Sequence, residues 1–282
     1  SASDIDKDGD MDLLVTDTND PQLSILINDG NGKFTKSINS LQNAGSGIII
    51  YSENQTQKML HLSKPPSLYK ITNGELLLNN QLNFTGSPSA AVAFDIEGDG
   101  DIDLFISGKS SLGQFPIATS SALFINNNGT YVKKLFPEIG IVKNVEAGDI
   151  DNDGDVDLVL AREWNSISLL INENGQLKEE KKDLGLNKFK GLWQDIELSD
   201  IDGNGTLDII ASNIGLNTAY ELHPMPIKLL YGDTNADEIF EIAEVYFEPL
   251  KNNWKPIRKL EIFSRTFPQV RGTYTRNQLF AD

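Results

Sequence analysis

Asp149-Ile150-Asp151-Asn152-Asp153-Gly154-Asp155-Val156-Asp157 carries a carboxylate at every odd position of one short stretch. Like charges so close together destabilise one another, so these side chains converge only around a cation. A hard divalent ion fits. Calcium accepts about six to eight oxygens in flexible geometry, and Asp or Asn at positions 1, 3 and 5, a carbonyl at 7 and a final carboxylate supply them. Magnesium, which prefers rigid octahedra with retained waters, fits less well.

Three near-copies lie elsewhere: Asp4 to Asp12, Asp95 to Asp103 and Asp200 to Asp208. The expected side-chain ligands are Asp4, Asp6, Asp8 and Asp12; Asp95, Glu97, Asp99 and Asp103; Asp149, Asp151, Asp153 and Asp157; and Asp200, Asp202, Asn204 and Asp208. Position 7 (Asp10, Asp101, Asp155, Thr206) contributes its carbonyl, with the aspartate side chains expected in solvent. Each loop runs into an apolar stretch: Leu13-Leu14-Val15, Leu104-Phe105-Ile106, Leu158-Val159-Leu160 and Ile209-Ile210-Ala211. An EF-hand would need a helix there and a Glu at loop position 12, where the first copy has Val15.

Asp95 to Asp149 is 54 residues and Asp149 to Asp200 is 51, whereas Asp4 to Asp95 is 91. The long gap holds a degenerate repeat: Gly47 to Tyr51, Lys58 to Leu62, Ser67 to Ile71 and Glu75 to Leu78 read as strands, with Glu53-Asn54-Gln55-Thr56-Gln57 in place of an acidic loop. Five repeats result, at about 1–40 (without its first strand), 41–87, 88–142, 143–190 and 191–250. Four strands per repeat at this period predict an all-β chain, a β-propeller of four-stranded antiparallel blades with a loop between strands 1 and 2. The apolar runs do not alternate with polar residues, as expected of strands covered on both faces.

The recurring Asp-x-Asp-x-Asp-Gly-x-x-Asp motif at blade spacing resembles the FG-GAP/VCBS family, the calcium-loop propeller repeat also seen in integrin α-chain heads, over roughly residues 1–250. The resemblance implies seven blades as the commonest ring; five are visible, so either the ring closes with fewer blades or the remainder lies outside this sequence, whose abrupt start at Ser1 reads as that of an excerpt.

The formal charge of -17 disfavours nucleic-acid or anionic-membrane partners. Eighteen of the 41 acidic residues sit in the four loops, so four calcium ions would bring the charge to -9. No cysteine is present, which removes disulfides, thiolate metal sites and a Cys nucleophile. No transmembrane run is apparent, and calcium dependence points to an exported protein, extracellular, cell-surface or periplasmic.

Asp233-Thr234-Asn235-Ala236-Asp237-Glu238-Ile239-Phe240-Glu241 is a fifth candidate loop (Asp233, Asn235, Asp237, Glu241), with Glu238 where Gly is expected and a place matching the hairpin of strands 3 and 4. Residues 251–282 read as a basic helical segment. Pro256 suits a first turn, Ile257, Leu260, Phe263 and Phe267 share a face, Pro268 stops the helix, and Thr275 to Gln278 resembles a capping box. Lys251, Lys255, Arg258, Lys259, Arg265, Arg271 and Arg276 make this segment a cap on the acidic propeller or a docking surface.

In an up-and-down blade, ligands belong to the face opposite the acidic loops. The anchors expected there are Phe115, Arg162, Trp164, Lys188, Trp193 and Tyr220, with Trp164 and Trp193 as wedges between blades being the alternative. His61 reads as core, and no nucleophile elbow, HExxH or phosphate loop appears. The reading is a non-enzymatic, calcium-stabilised binding or adhesion scaffold with a protein or glycan partner. The alternatives are a propeller enzyme acting on carbohydrates or esters, for which Glu163 and Glu197 can be imagined as an acid/base pair although nothing in the sequence fixes their separation, and a structural subunit of a cell-surface assembly.

Overall fold

The computed structural model describes residues 1–16, 23–37, 41, 45–72, 74–182, 184–215, 218–223 and 226–273. The chain is all-β, built of antiparallel sheets. The first holds β1 (Ala2–Ser3), β2 (Asp12–Thr16), β3 (Leu23–Asn28) and β4 (Phe34–Lys36). The second holds β5 (Ile48–Glu53), β6 (Thr56–His61), β7 (Ser67–Thr72) and β8 (Glu75–Gln81), and the third β9 (Ser87–Phe94), β10 (Asp103–Lys109), β11 (Ser121–Asn127) and β12 (Thr130–Phe136). In the fourth, β13 (Val142–Gly148), β14 (Asp157–Asn165), β15 (Ser168–Asn172) and β16 (Leu177–Glu179) are joined by β17 (Gly191–Ser199) and β18 (Asp208–Asn213), because the end of β14 pairs with β17. A separate sheet holds β19 (Ile227–Gly232), β20 (Glu241–Glu248) and β21 (Asn253–Pro256), followed by α1 (Leu260–Thr266) and α2 (Val270–Thr273).

Alternate side chains of one strand enter different cores, which explains the unbroken apolar runs. Leu104, Ile106, Ala122 and Phe124 pack with Leu60, Leu62 and Leu68 of the second sheet. Phe105 and Leu123, between them in sequence, pack with Val145, Leu158, Leu160 and Leu170 of the fourth. Ile5, Leu14 and Ile25 likewise meet Met59, Tyr69 and Ile71, and Val159, Ala161 and Leu169 meet Ile196 of β17. Burying one such side chain stabilises the fold by about 1.5–3 kcal/mol, so these seams hold sheet to sheet. His61 is fully buried, as its apolar flanks lead one to expect.

Contacts divide the chain into one unit of Ser1–Lys109 with Ala118–Ser212 and another of Ser110–Ile117 with Asn213–Asp282. Four readings of the sequence are corrected. The first repeat keeps a stub of its first strand, with Ala2 opposite Leu13. The strands of 191–250 do not form one sheet: β17 and β18 extend the fourth, while β19 opens another. Residues 233–241 therefore join the first two strands of a sheet rather than the last two. Asn253–Pro256 is a strand, not a helical turn, because Trp254 and Pro256 lie across from Phe247 and Val245 at a sheet edge, where a missing proline N–H costs nothing. Helix begins at Leu260, which is buried, and Phe263 stacks on Phe267 at 4.7 Å. The residues 275–278 lie outside the described ones.

Candidate metal centres

One hydrogen-bond pattern shapes every acidic loop. The first aspartate caps the turn: Asp95 accepts from the N–H groups of Gly98 (2.8 Å), Asp99 (3.2 Å) and Gly100 (2.7 Å), and Asp200 from those of Gly203 (2.8 Å), Asn204 (3.0 Å) and Gly205 (2.9 Å). Position 5 accepts from the N–H of position 7, at 3.0 Å for Asp8, 2.9 Å for Asp99 and Asp153, and 2.7 Å for Asn204. The glycine between them sits at φ 100° (Gly9), 91° (Gly100), 95° (Gly154) and 85° (Gly205), a region where a Cβ is strained.

Position 9 anchors the loop to the sheet. Asp12 takes N–H bonds from Ile5 and Asn28 (both 2.8 Å), Asp103 from Ile96 (2.8 Å) and Asn126 (2.7 Å), and Asp157 from Ile150 (2.9 Å) and Asn172 (2.8 Å). All three side chains are buried. Burial, against these N–H bonds, pushes the Asp103 carboxyl up to about 6, and burial also raises Asp157. Desolvation raises Asp6 too, with Asp8, Asp12 and Asp4 adding repulsion. A bound cation reverses these penalties by favouring the charged forms.

Three loops gather ligand atoms within 4.8 Å of one another: Asp4, Asp6 and Asp8; Asp149, Asp151 and Asp157; Asp200, Asp202 and Asp208. In the first, Asp4 Oδ1 is buried without a partner, an orphan that a cation would satisfy. The oxygen-only donor set suits a hard ion such as calcium. The 95–103 loop is not among these triads; its Glu97 Cγ lies 3.3 Å from where a Cβ on Gly175 would stand. The 233–241 loop repeats the pattern, with Asp233 accepting from Ala236, Asp237 and Glu238, Asp237 from Ile239, and Glu241 from Thr234. Glu238 takes the glycine's place at φ 67°.

The position-7 aspartates are not turned to solvent. Asp101 accepts from Asn128 N–H (2.7 Å) and Asp155 from Asn174 N–H (3.3 Å), while a Cβ on Gly30 would stand 2.3 Å from Asp10 Oδ2. Asp101 and Asp155 thereby tie their loops to the hairpin between the last two strands of the same sheet.

A second set of residues was overlooked in the sequence. Asn28, Asn126 and Asn172 stand at or one residue before the end of the third strand of their sheets, each after an Ile, and that recurrence was the available signal. Their carbonyl oxygens accept from Gly30, Gly129 and Gly175. Their amides donate to Met11 O (3.2 Å), to Ile102 O (3.2 Å) and, from the fourth sheet into the third, to Ile96 O (2.9 Å). Glu53 is the other: it is buried, accepts from Ile102 N–H (3.0 Å) and Asn126 Nδ2 (2.8 Å), and pairs with Lys58.

The six expected ligand anchors are divided between the two units. Phe115 and Tyr220 belong to the second unit, where the Tyr220 hydroxyl bonds Glu244. Arg162 is buried, donating to Ser166 O (2.9 Å), Ile139 O and Glu179 (both 3.1 Å), so it fastens a loop and offers no free guanidinium. Trp193, on β17, packs against the cluster of Val159, Ala161, Leu169 and Ile196 and gives its indole N–H to Phe189 O. Trp164 is half-buried at φ 59°, a strained conformation for a bulky residue, and Lys188 is exposed. No helix among the described residues is long and apolar enough to cross a membrane.

The family model for the FG-GAP-like repeat matches residues 4–52, 95–160 and 149–211. No curated protein matches the chain. Similar solved structures include the V. cholerae biofilm matrix protein Bap1 (14% identity over 92% of this chain and 48% of that one, TM-score 0.44). They also include BBS1N in complex with ARL6DN (12%, 88% and 74%, TM-score 0.46) and Sqt1 of Saccharomyces cerevisiae (12%, 67% and 48%, TM-score 0.43). The chain thus spans about half the length of the Bap1 chain.

Proposed function

The chain belongs to the FG-GAP-like repeat family, and from that premise we propose that it is a segment of a calcium-stabilised β-propeller that serves outside the cytoplasm as a binding or adhesion scaffold, not as an enzyme. The observation that carries this reading is the recurrence of one loop, with the same internal hydrogen bonds, between β9 and β10, between β13 and β14 and between β17 and β18, in sheets that share apolar cores. In it, the sheets of 2–36, 48–81, 87–136 and 142–179 are successive blades, β17 and β18 extend the last of these, and β19 opens a further one.

Asp, Asn and Glu side chains at positions 1, 3, 5 and 9 would hold the ion, with the position-9 carboxylate also setting the loop's shape and the ion offsetting the repulsion. The 233–241 loop is a fifth site on the same grounds, since its hydrogen bonds duplicate those of 200–208. Calcium loops of this kind act as fastenings. The partner, protein or glycan, belongs on the opposite face, where Trp164 stands at the end of β14 and Lys188 and the exposed Phe189 lie on the connection that follows the sheet's fourth strand. The basic residues of 251–273 are a second contact surface, with Lys259 and Arg265 exposed.

Calorimetry and thermal melting with calcium or chelator test the metal reading; an identical melting curve in both would sink it. A glycan-array and protein-partner screen, run with and without calcium, tests the scaffold reading. Turnover of a carbohydrate or ester substrate would replace it with the enzyme.

A further inference from the structure

We infer that Glu53, in the sheet that has no acidic loop, is a positioning residue for the metal site of the next sheet, the 95–103 loop. The inference rests on the reading of that loop as a calcium site. Glu53 ends β5, where a two-residue turn, Asn54 (φ 49°) and Gln55 (φ 59°), replaces the nine-residue loop. Its side chain leaves its own sheet. Oε1 accepts from the backbone N–H of Ile102, loop position 8, at 3.0 Å, and from Asn126 Nδ2 at 2.8 Å.

Those two contacts bracket the loop. Asn126 Nδ2 also donates to Ile102 O (3.2 Å), and Asn126 N–H holds Asp103 Oδ1 (2.7 Å), so Glu53, Asn126 and Asp103 form one chain of bonds to position 9. On the other flank, Asn172 of the fourth sheet donates to Ile96 O, loop position 2 (2.9 Å). The 95–103 loop is thus gripped from both neighbours. Where the third sheet offers a loop carbonyl to Asn172, the second, having no loop, offers a carboxylate to Asn126. The carboxylate brings a charge into a buried place, and Lys58 answers it from the adjacent strand β6. Burial and Lys70 pull the Lys58 ammonium down while Asp101, position 7 of the same loop, opposes them.

Groups that orient ligands without touching the metal commonly change affinity by about 10–100-fold when removed. Terbium in place of calcium reads this loop locally. Tyr131, which lies across from Asn126 on β12 and whose phenol is raised by burial and by Asp103 and Asp101, is the sensitiser. Glu53→Ala in the full chain is expected to weaken the Tyr131-sensitised terbium titration by about 10–100-fold. Glu53→Gln, which keeps the acceptor, is expected to recover most of the affinity. Should Glu53→Ala not fold, Glu53→Asp decides: it keeps the charge but withdraws the acceptor by one methylene, and several-fold weakening is expected. A titration superposable on wild type in either folded variant overturns the inference, even if the melting temperature falls. Absence of terbium emission and of calcium binding heat in the wild type would instead remove the calcium reading itself.

Discussion

The second and third sheets have the same four antiparallel strands in the same order, yet the second closes its first hairpin with Asn54-Gln55 and the third with the nine residues 95–103. Their cores are equally complete: Met59 and Leu60 are as fully buried as Phe105 and Ile106. A metal loop is therefore not what builds the sheet. What the loops add is attachment, from position 7 to the hairpin of the same sheet and from the backbone of positions 2 and 8 to the sheets on either side. The second sheet obtains the same attachment from a carboxylate and an ammonium within the chain.

The strongest way to break this comparison is to remove the metal. A site saturated at 100 times its dissociation constant contributes about 2.7 kcal/mol, so chelation is expected to lower the melting temperature by several degrees per occupied site, at roughly 2–4 °C per kcal/mol. Hydrogen exchange should locate the loss. Amides of 4–12, 149–157 and 200–208 are expected to lose protection in chelator while those of β6 and β7 keep it; uniform loss would show that the second sheet depends on metal as much as the others. Leu60→Ala should cost about 2–5 kcal/mol, because it empties a buried site between the second and third sheets. That cost should be the same with and without calcium, and a cost that vanishes in chelator would mean that the seam itself needs the ion.

Much of this was legible in the sequence, and the reasons it stopped are specific. Apolar runs such as Leu104-Phe105-Ile106 revealed strands because both faces are covered, and acidic loops announced their spacing because carboxylates so dense have few other uses. The degenerate second repeat was found from its strands alone. The division of 191–250 was hidden because β18 and β19 each read as an ordinary strand, and sheet membership depends on which strand lies alongside, as with the end of β14 and β17. Trp254 and Pro256 fit a helical start locally, but pairing with β20 overrides that preference. Glu53 had no local signal, because its partners stand 49 and 73 residues away. Arg162 looked like a free cation for the same reason: the carbonyl of Ile139 that consumes it is 23 residues off.

Asn172→Ala isolates the attachment from the ion. The amide's bond to Ile96 O is buried and crosses from the fourth sheet to the third, and its loss leaves that carbonyl unpaired, a cost of about 1–3 kcal/mol. Asn28→Ala, whose amide reaches only the exposed Met11 O of its own sheet, is expected to cost less by chemical denaturation. Equal costs would mean that the crossing bond adds nothing to the seam.

The smallest expected effect separates the two kinds of sheet by pH. His61 lies in the metal-free sheet, with both ring nitrogens buried and without partners, and burial lowers its pKa. For a base depressed in the folded state, stability is fully present above the unfolded value and is lost as pH falls below it, because the unfolded chain takes up a proton that the folded chain refuses. Below about pH 6.5, the ordinary value for histidine, the wild type in chelator should lose stability, and His61→Leu should flatten that slope. Carboxylates raised by burial work the other way in the metal-free protein: Asp103 and Asp157 favour folding when protonated, so their contribution is lost as pH rises through their folded pKa, about 6 for Asp103. Between pH 4 and 6 the two sheets should therefore respond with opposite signs once calcium is gone. Hydrogen exchange in chelator at the two pH values, comparing β6 amides with those of β10, reads the difference directly, and a shared sign would show that the two sheets titrate as one.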